Sequence, residues 1–188
     1  MTGPCRQAIP TLIPICMAAM KPRKKKIPEI PVIGDVDDWE ADVIKSLLEI
    51  LPGEECIFYI DSAGGSVYGS LAVLTLMRHR KHQATGIVLG ECSSAALLLF
   101  AACRRRFVTP HSTMLFHCMR WQSEKRVASS EAALWARHFE ELEQNMDDLQ
   151  VKLFGAAEEQ VRAWLKEGQY VTGPQMVAAG LAEMLEIY

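Results

Sequence analysis

Two apolar runs of strand length, each followed by a turn of small residues and then by an apolar helix, constrain this chain more than any other feature. Cys56-Ile57-Phe58-Tyr59-Ile60 leads into Ser62-Ala63-Gly64-Gly65 and a helix over residues 67–77. Gly86-Ile87-Val88-Leu89 leads into Gly90-Glu91-Cys92-Ser93 and an apolar helix over residues 94–103. Strands that lack polar alternation are covered on both faces, as in parallel sheets, and the intervening helices supply the crossovers. Further strands are expected at 30–33, ending at Gly34, and at 107–109 and 114–116. Val43, Ile44, Leu47, Leu48 and Leu51 follow helical spacing, with Asp37 or Asp38 as cap and Pro52-Gly53 as stop. The fold class is α/β.

Ser129 or Ser130 opens the longest helix. Along it Trp135, Phe139, Leu142, Met146, Leu149 and Leu153 alternate steps of four and three, and Glu140, Glu141, Glu143, Asp147 and Asp148 take the other faces. Gly155 ends it. A seam this regular packs either on its own domain or on another subunit. Short helices follow over 158–166 and 174–179.

At 188 residues, 49% apolar and 23% charged, the chain fits one soluble domain. A net charge of -3 gives no overall attraction to nucleic acid or to an anionic membrane. Cys5, Cys16, Cys56, Cys92, Cys103 and Cys118 form no CxxC pair and have no metal-ligand spacing, which points to a reducing, cytoplasmic compartment without structural zinc. The apolar stretch 9–20 is broken by Pro10 and Pro14 and is too short for an integral membrane segment. Its basic cluster, 21–26, follows it, whereas a secretory signal carries its charge first. Residues 1–26 are therefore read as a flexible basic extension and 27–188 as the folded domain. Arg104-Arg105-Arg106 is read as a solvated turn, and His79, His82, His111 and His138 as surface residues.

Three segments carry chemistry. In Asp61-Ser62-Ala63-Gly64-Gly65-Ser66, paired glycines let the backbone turn sharply and bring N–H groups close to an anion; a plain tight strand–helix connection would use the same residues. In Gly90-Glu91-Cys92-Ser93-Ser94-Ala95-Ala96, a serine at the first turn of a buried helix is either a cap or an exposed hydroxyl beside backbone donors. His117 closes the strand Met114-Leu115-Phe116.

Together these segments resemble the Clp protease proteolytic subunit of the Clp/crotonase superfamily. Asp61-Ser62-Ala63-Gly64-Gly65-Ser66-Val67 is similar to that family's Asn-Ser-Pro-Gly-Gly-Ser-Val. Gly90-Glu91-Cys92-Ser93-Ser94-Ala95-Ala96 is similar to its Gly-x-Ala-Ala-Ser-Met-Gly, and the ungapped interval from Gly65 selects Ser94 over Ser93. Pro110-His111-Ser112-Thr113-Met114-Leu115-Phe116-His117 resembles its Pro-Asn-Ser-Arg-Val-Met-Ile-His. Ile33-Gly34-Asp35-Val36-Asp37-Asp38 and the segment from Thr172 to Leu181 resemble its two ends, so the likeness runs from about residue 30 to about residue 186.

The resemblance implies a Clp/crotonase-type superhelix of repeated ββα units with a projecting long helix. It implies a serine peptidase with Ser94 as nucleophile, His117 as general base and the N–H groups of Gly65 and Ala95 as oxyanion hole, using no metal and no cofactor. It implies a peptide or unfolded-protein substrate, a homo-oligomeric ring and an ATPase unfoldase as partner, with no nucleic acid. The family's third triad member, an aspartate, falls on Gly168 when aligned through Tyr170, which leaves Glu167, a backbone carbonyl or water to orient His117. A catalytically weak or inactive subunit of a Clp-type ring and a crotonase-type acyl-CoA enzyme are the alternatives.

Overall fold

The computed structural model describes residues 26–122 and 126–187. The reading of residues 1–25 as an extension, with Cys5 and Cys16, lies outside the described residues. Among the described residues no helix is long and apolar enough to cross a membrane.

The chain is a mixed α/β structure on a mostly parallel sheet. Strand β1 (Glu29–Asp35) is followed by α1 (Val36–Glu49), β2 (Glu55–Gly64), α2 (Val67–His79), β3 (Gln83–Cys92) and α3 (Ala96–Ala102). Then come β4 (Arg105–Val108), β5 (Thr113–Leu115), α4 (Ser129–Phe154), α5 (Glu158–Glu167), β6 (Tyr170–Thr172), α6 (Gly173–Ala178) and β7 (Glu183–Met184). The strands run β1-β2-β3-β4-β7, all parallel; β5 joins the end of β3 at Glu91↔Thr113, and β6 runs antiparallel to β5.

The strand interiors are buried as the apolar runs require: Phe58, Ile60 and Val88 are fully enclosed, with α3 supplying Leu97, Leu99 and Phe100 beside them. Both β2 and β3 run further than the apolar runs suggest, through Gly64 and Cys92, because parallel pairing with a neighbour sustains an extended backbone beyond the apolar residues. Strands β6 and β7 have no sequence signature. They are two or three residues long and exist through pairing with β5 and β4.

Several expectations need correction. Helix α1 is capped at Asp35, with Asp38 accepting the Asp35 N–H at 3.1 Å from the third helical position, so neither Asp37 nor Asp38 is the cap. Its buried stripe is Val36, Trp39, Val43 and Leu47; Leu48 and Leu51 are exposed, because the stripe follows a single helix face. His82 is buried, not on the surface, and both of its ring nitrogens lack a hydrogen-bond partner.

The basic triplet is not a solvated turn. Arg105 and Arg106 open β4, and the part-buried Arg106 guanidinium donates to the Leu181 (2.7 Å), Ala101 (3.0 Å), Cys103 (3.1 Å) and Phe154 (3.3 Å) carbonyl oxygens. It also lies over the Phe154 ring. A planar five-donor group suits this junction, where the ends of α3 and α4 and the turn before β7 all leave carbonyls to satisfy.

Burial along α4 is uneven. Gln150, Val151 and Phe154 in its last turns are buried, and Gly155 ends it in the left-handed conformation, as expected. Trp135, Phe139, Leu142 and Met146 are only half-buried, and part of their cover comes from Trp121, which stacks on Phe139 and meets Trp135 edge-on. Tyr68 of α2 ties the exposed side by a 2.7 Å hydrogen bond to His138.

Replacing Arg106 by Met should lower stability by about 2–4 kcal/mol, since charge-assisted bonds are lost and buried carbonyls are left unpaired. Arg104→Met, at an exposed position, should change it by less than about 0.5 kcal/mol. Urea denaturation of the two variants measures the difference.

Candidate active site

The carboxyl ends of β2, β3 and β5 converge, and the turns leaving them build one cleft of about 220 Å³. Crevices beyond the carboxyl ends of parallel strands are the usual ligand sites of open α/β sheets. Gly65, Ser94, Ala95 and His117 all line this cleft, so the four residues singled out in the sequence come together.

On the β2 side, Ser62 shapes the turn: its Oγ accepts the Trp39 indole N–H at 3.2 Å and the Gly64 N–H at 3.3 Å. Gly64 and Gly65 have φ of 102° and 129°, conformations closed to other L-residues without strain. A Cβ on Gly64 would stand 2.7 Å from both the Ser93 carbonyl oxygen and the Ser94 Cβ.

On the β3 side, Ser93 and Ser94 part company. Ser93 is buried; its Oγ donates to Glu91 Oε1 at 2.6 Å and accepts the Leu115 N–H at 3.1 Å, which ties the β3 turn to β5. Ser94 precedes α3 instead of lying in its first turn, and holds the left-handed conformation at φ 54°. Its own N–H is bonded to the Leu115 carbonyl oxygen at 2.9 Å. Non-glycine residues in this region cost energy and concentrate at functional sites.

His117 follows β5, where the Phe116 N–H is bonded to the Gln169 carbonyl oxygen at 3.0 Å. Its Nδ1 lies 2.6 Å from the Cys118 carbonyl oxygen. A carbonyl only accepts, so Nδ1 carries a proton, and in the neutral imidazole the lone pair is then on Nε2. Of the protein groups open from the sequence, the backbone carbonyl is the one that meets Nδ1. Glu167 is exposed and makes no hydrogen bond to His117, while a side chain built at Gly168 would begin 4.0 Å from the His117 Cβ.

Sequence reasoning missed the rest of the lining, which Met146, Asp147 and Gln150 of α4 supply together with Val67, Leu98, Met119 and Arg120. Asp147 and Glu143, expected on the faces away from the seam, are both half-buried, and their carboxylates lie within 4.8 Å of each other and of the Cys118 thiol. Burial first, and then Glu143, push Asp147 up to about 6, with Arg162 opposing. The signal that could have found them is adjacency: Asp147 and Gln150 each stand one position after a seam residue and share its flank. Cys92 is enclosed, and burial raises its thiol well above the ordinary range; the same cause, aided by Glu143, raises half-buried Cys118.

A sequence model of the Clp protease family matches residues 24–186. Among curated proteins, the ATP-dependent Clp protease proteolytic subunit 1 of Corynebacterium diphtheriae is 27% identical over 159 residues, covering 81% of this chain and 76% of its own length.

A carboxyl whose folded pKa lies above its unfolded value weakens the fold as pH rises between the two, here from 3.8 to about 6. Asp147→Asn removes that penalty. Because the group is half-exposed, solvent screening reduces the gain to about 1 kcal/mol, or roughly 2–4 °C in melting temperature, at about pH 7.5. The gain should shrink as pH falls below about 6 and vanish only below 3.8, where the unfolded state is protonated as well; thermal melts across this range check the sign.

Proposed function

The chain belongs to the Clp protease family, and on that premise we propose that it is a serine endopeptidase working through an acyl-enzyme on Ser94. The supporting observation is the cleft itself: Ser94 and His117 share it with the Gly65 and Ala95 backbones, and His117 Nδ1 is engaged by the Cys118 carbonyl so that Nε2 is the basic nitrogen. In this reading Nε2 takes the proton from Ser94 Oγ as Oγ attacks a peptide carbonyl. The N–H groups of Gly65 and Ala95 hold the oxyanion, at about 3–4 kcal/mol per donor in other hydrolases. His117 then gives its proton to the departing amine, and water attacks the acyl group through the same base. The steps need no metal and no cofactor.

The Cys118 carbonyl sets the tautomer but, being neutral, does less than a carboxylate to stabilise the imidazolium. Turnover on short peptides is therefore low, and a catalytically weak subunit within a ring is the limiting form of the same reading. A crotonase-type acyl-CoA enzyme has one feature in its favour, the Asp147 carboxyl in the cleft. Reaction at Ser94 separates the two.

The substrate is a peptide or unfolded protein, delivered by an ATPase unfoldase in the cytoplasm to a homo-oligomeric ring. The units follow the ββα superhelix of the family, with α4 projecting, and residues 1–26 extend from a domain over 27–188. Half-buried Leu142 and exposed Leu134 on α4 are what a partner subunit would cover.

A fluorophosphonate probe should label Ser94, and Ser94→Ala and His117→Ala should abolish labelling. Label on Cys92 or Cys118, or none, sinks the serine-peptidase reading. Gly168→Asp places a carboxylate beside His117 at a φ of 69°, which Asp tolerates, and should raise peptide hydrolysis about 10-fold or more. An unchanged rate would show that the carbonyl alone suffices.

Light scattering after size-exclusion chromatography should give a mass several times the 21.0 kDa chain. Leu142→Glu should dissociate the assembly. A wild-type monomer at micromolar concentration would refute the ring.

A further inference from the structure

Asp147 brings to the cleft a carboxyl group that the proposed mechanism does not use. It lines the cleft together with Ser94, Ala95 and His117, and it is half-buried. Among the described residues no hydrogen bond or ion pair engages its carboxyl group, and neither oxygen is sealed from solvent, so a guest in the cleft can reach it. Arg162, the cation that acts on Asp147, already gives its donors to Asp148 at 2.8 Å and to Glu158 at 3.0 and 3.1 Å. Arg120, the cation in the cleft lining, is exposed and makes no ion pair with Asp147. The rest of the setting is apolar or of like charge: Val67, Leu98 and Met146 line the same cleft, and the Glu143 carboxylate lies within 4.8 Å.

We propose that Asp147 is a specificity-determining residue that selects a peptide carrying a long cationic side chain, lysine or arginine, whose charged end meets the Asp147 carboxylate. The inference rests on the peptidase reading above. A carboxylate partly stripped of water, with a like charge beside it, gains more from a counter-cation than one on open surface does. Lysine and arginine supply both parts of the match, an aliphatic stem for Val67, Leu98 and Met146 and a charge at its end. Methionine fills the apolar part and leaves the carboxylate as it was. Glutamate is repelled by Asp147 and Glu143, and the exposed Arg120 attracts it only through water, where the attraction is weak. The position of Asp147 at about 6 has the same origin, since burial and Glu143 raise it and Arg162 does not offset them. The preference therefore belongs to the pH range above that value, where the group is charged.

The test gives the full chain two acetylated alanine heptapeptide amides in one reaction, one with Lys and one with Met at the centre. The ratio of their rates of loss is the ratio of kcat/KM. A host of alanines leaves the single long side chain to choose its register, and mass spectrometry of the products shows on which side of the cut bond it sits. At about pH 8 Lys should exceed Met about 10-fold, and a Glu peptide should be cleaved more slowly than either. Both peptides meet the same enzyme, so the titration of His117 cancels, and the ratio should fall several-fold towards about pH 5 as Asp147 takes up its proton. Asp147→Asn, which relieves the fold and does not strain it, should bring the ratio at about pH 8 to within about two-fold of one, whereas the charge-conserving Asp147→Glu should keep Lys ahead by about 3-fold or more. A wild type that takes Met or Glu as readily as Lys, or a ratio that Asp147→Asn leaves in place, overturns the assignment.

Binding separates this result from failure of the peptidase reading. With Ser94→Ala, where no acyl transfer occurs, the Lys peptide should bind about 5-fold more tightly than the Met peptide by calorimetry at about pH 8. The difference should vanish in the Ser94→Ala, Asp147→Asn double variant. Equal affinities, or no binding of either peptide, would overturn the proposal even if fluorophosphonate labels Ser94. A preserved difference without labelling would keep the subsite and refute the nucleophile.

Discussion

Gly64 brings the end of β2 so near the turn after β3 that a single methyl group there would collide with both the Ser93 carbonyl oxygen and the Ser94 side chain. Much of the cleft depends on this approach. Two parallel strands a ladder spacing apart normally carry their following turns apart as well; here the absence of a Cβ allows the turns to touch. The left-handed backbone of Ser94, its N–H bond to Leu115 and the Trp39–Ser62 bond all hold the same approach from different sides. A strained serine persists only where its surroundings over-determine it, and three segments distant in sequence do so here.

The histidine shows how a site can be oriented without being fully charged. In a serine–histidine–carboxylate arrangement one group sets the tautomer and also balances the imidazolium. The Cys118 carbonyl at 2.6 Å performs the first task by geometry. Among the described residues the second has no hydrogen-bonded counterpart at His117. Orientation and electrostatic stabilisation are thus separable properties of this cleft.

Much of the fold and half of the cleft were legible in the sequence. The apolar runs at 56–60 and 86–89 announced the parallel strands, because burial on both faces leaves no polar alternation to misread. The segments that carry Gly65, Ser94, Ala95 and His117 stand out because apolar runs there change abruptly to small or polar residues, while the choice of these four rests on the resemblance to the Clp protease family. The wall from α4 was not legible, since a helix of 26 residues has several flanks and only tertiary contact decides which one closes a pocket. Asp147 and Gln150 are polar residues beside a seam, a pattern that usually means solvent. Arg106 was misread for a similar reason: three consecutive arginines suggest a wet turn, and nothing local reveals that the third meets carbonyls from residues as far away as Leu181.

That arginine also orders events in time. Its partners are Ala101 and Cys103 nearby, then Phe154, then Leu181, 75 positions along the chain. Closing so long a loop is slow compared with forming any one helix. While the chain is being synthesised, α3 and β4 are complete long before Leu181 exists, so the guanidinium waits with its donors turned to water. The end of α4, which brings Met146, Asp147 and Gln150 to the cleft, can be locked fully only after Leu181 has been made. Until then the cleft lacks one of the ties that fix the end of α4.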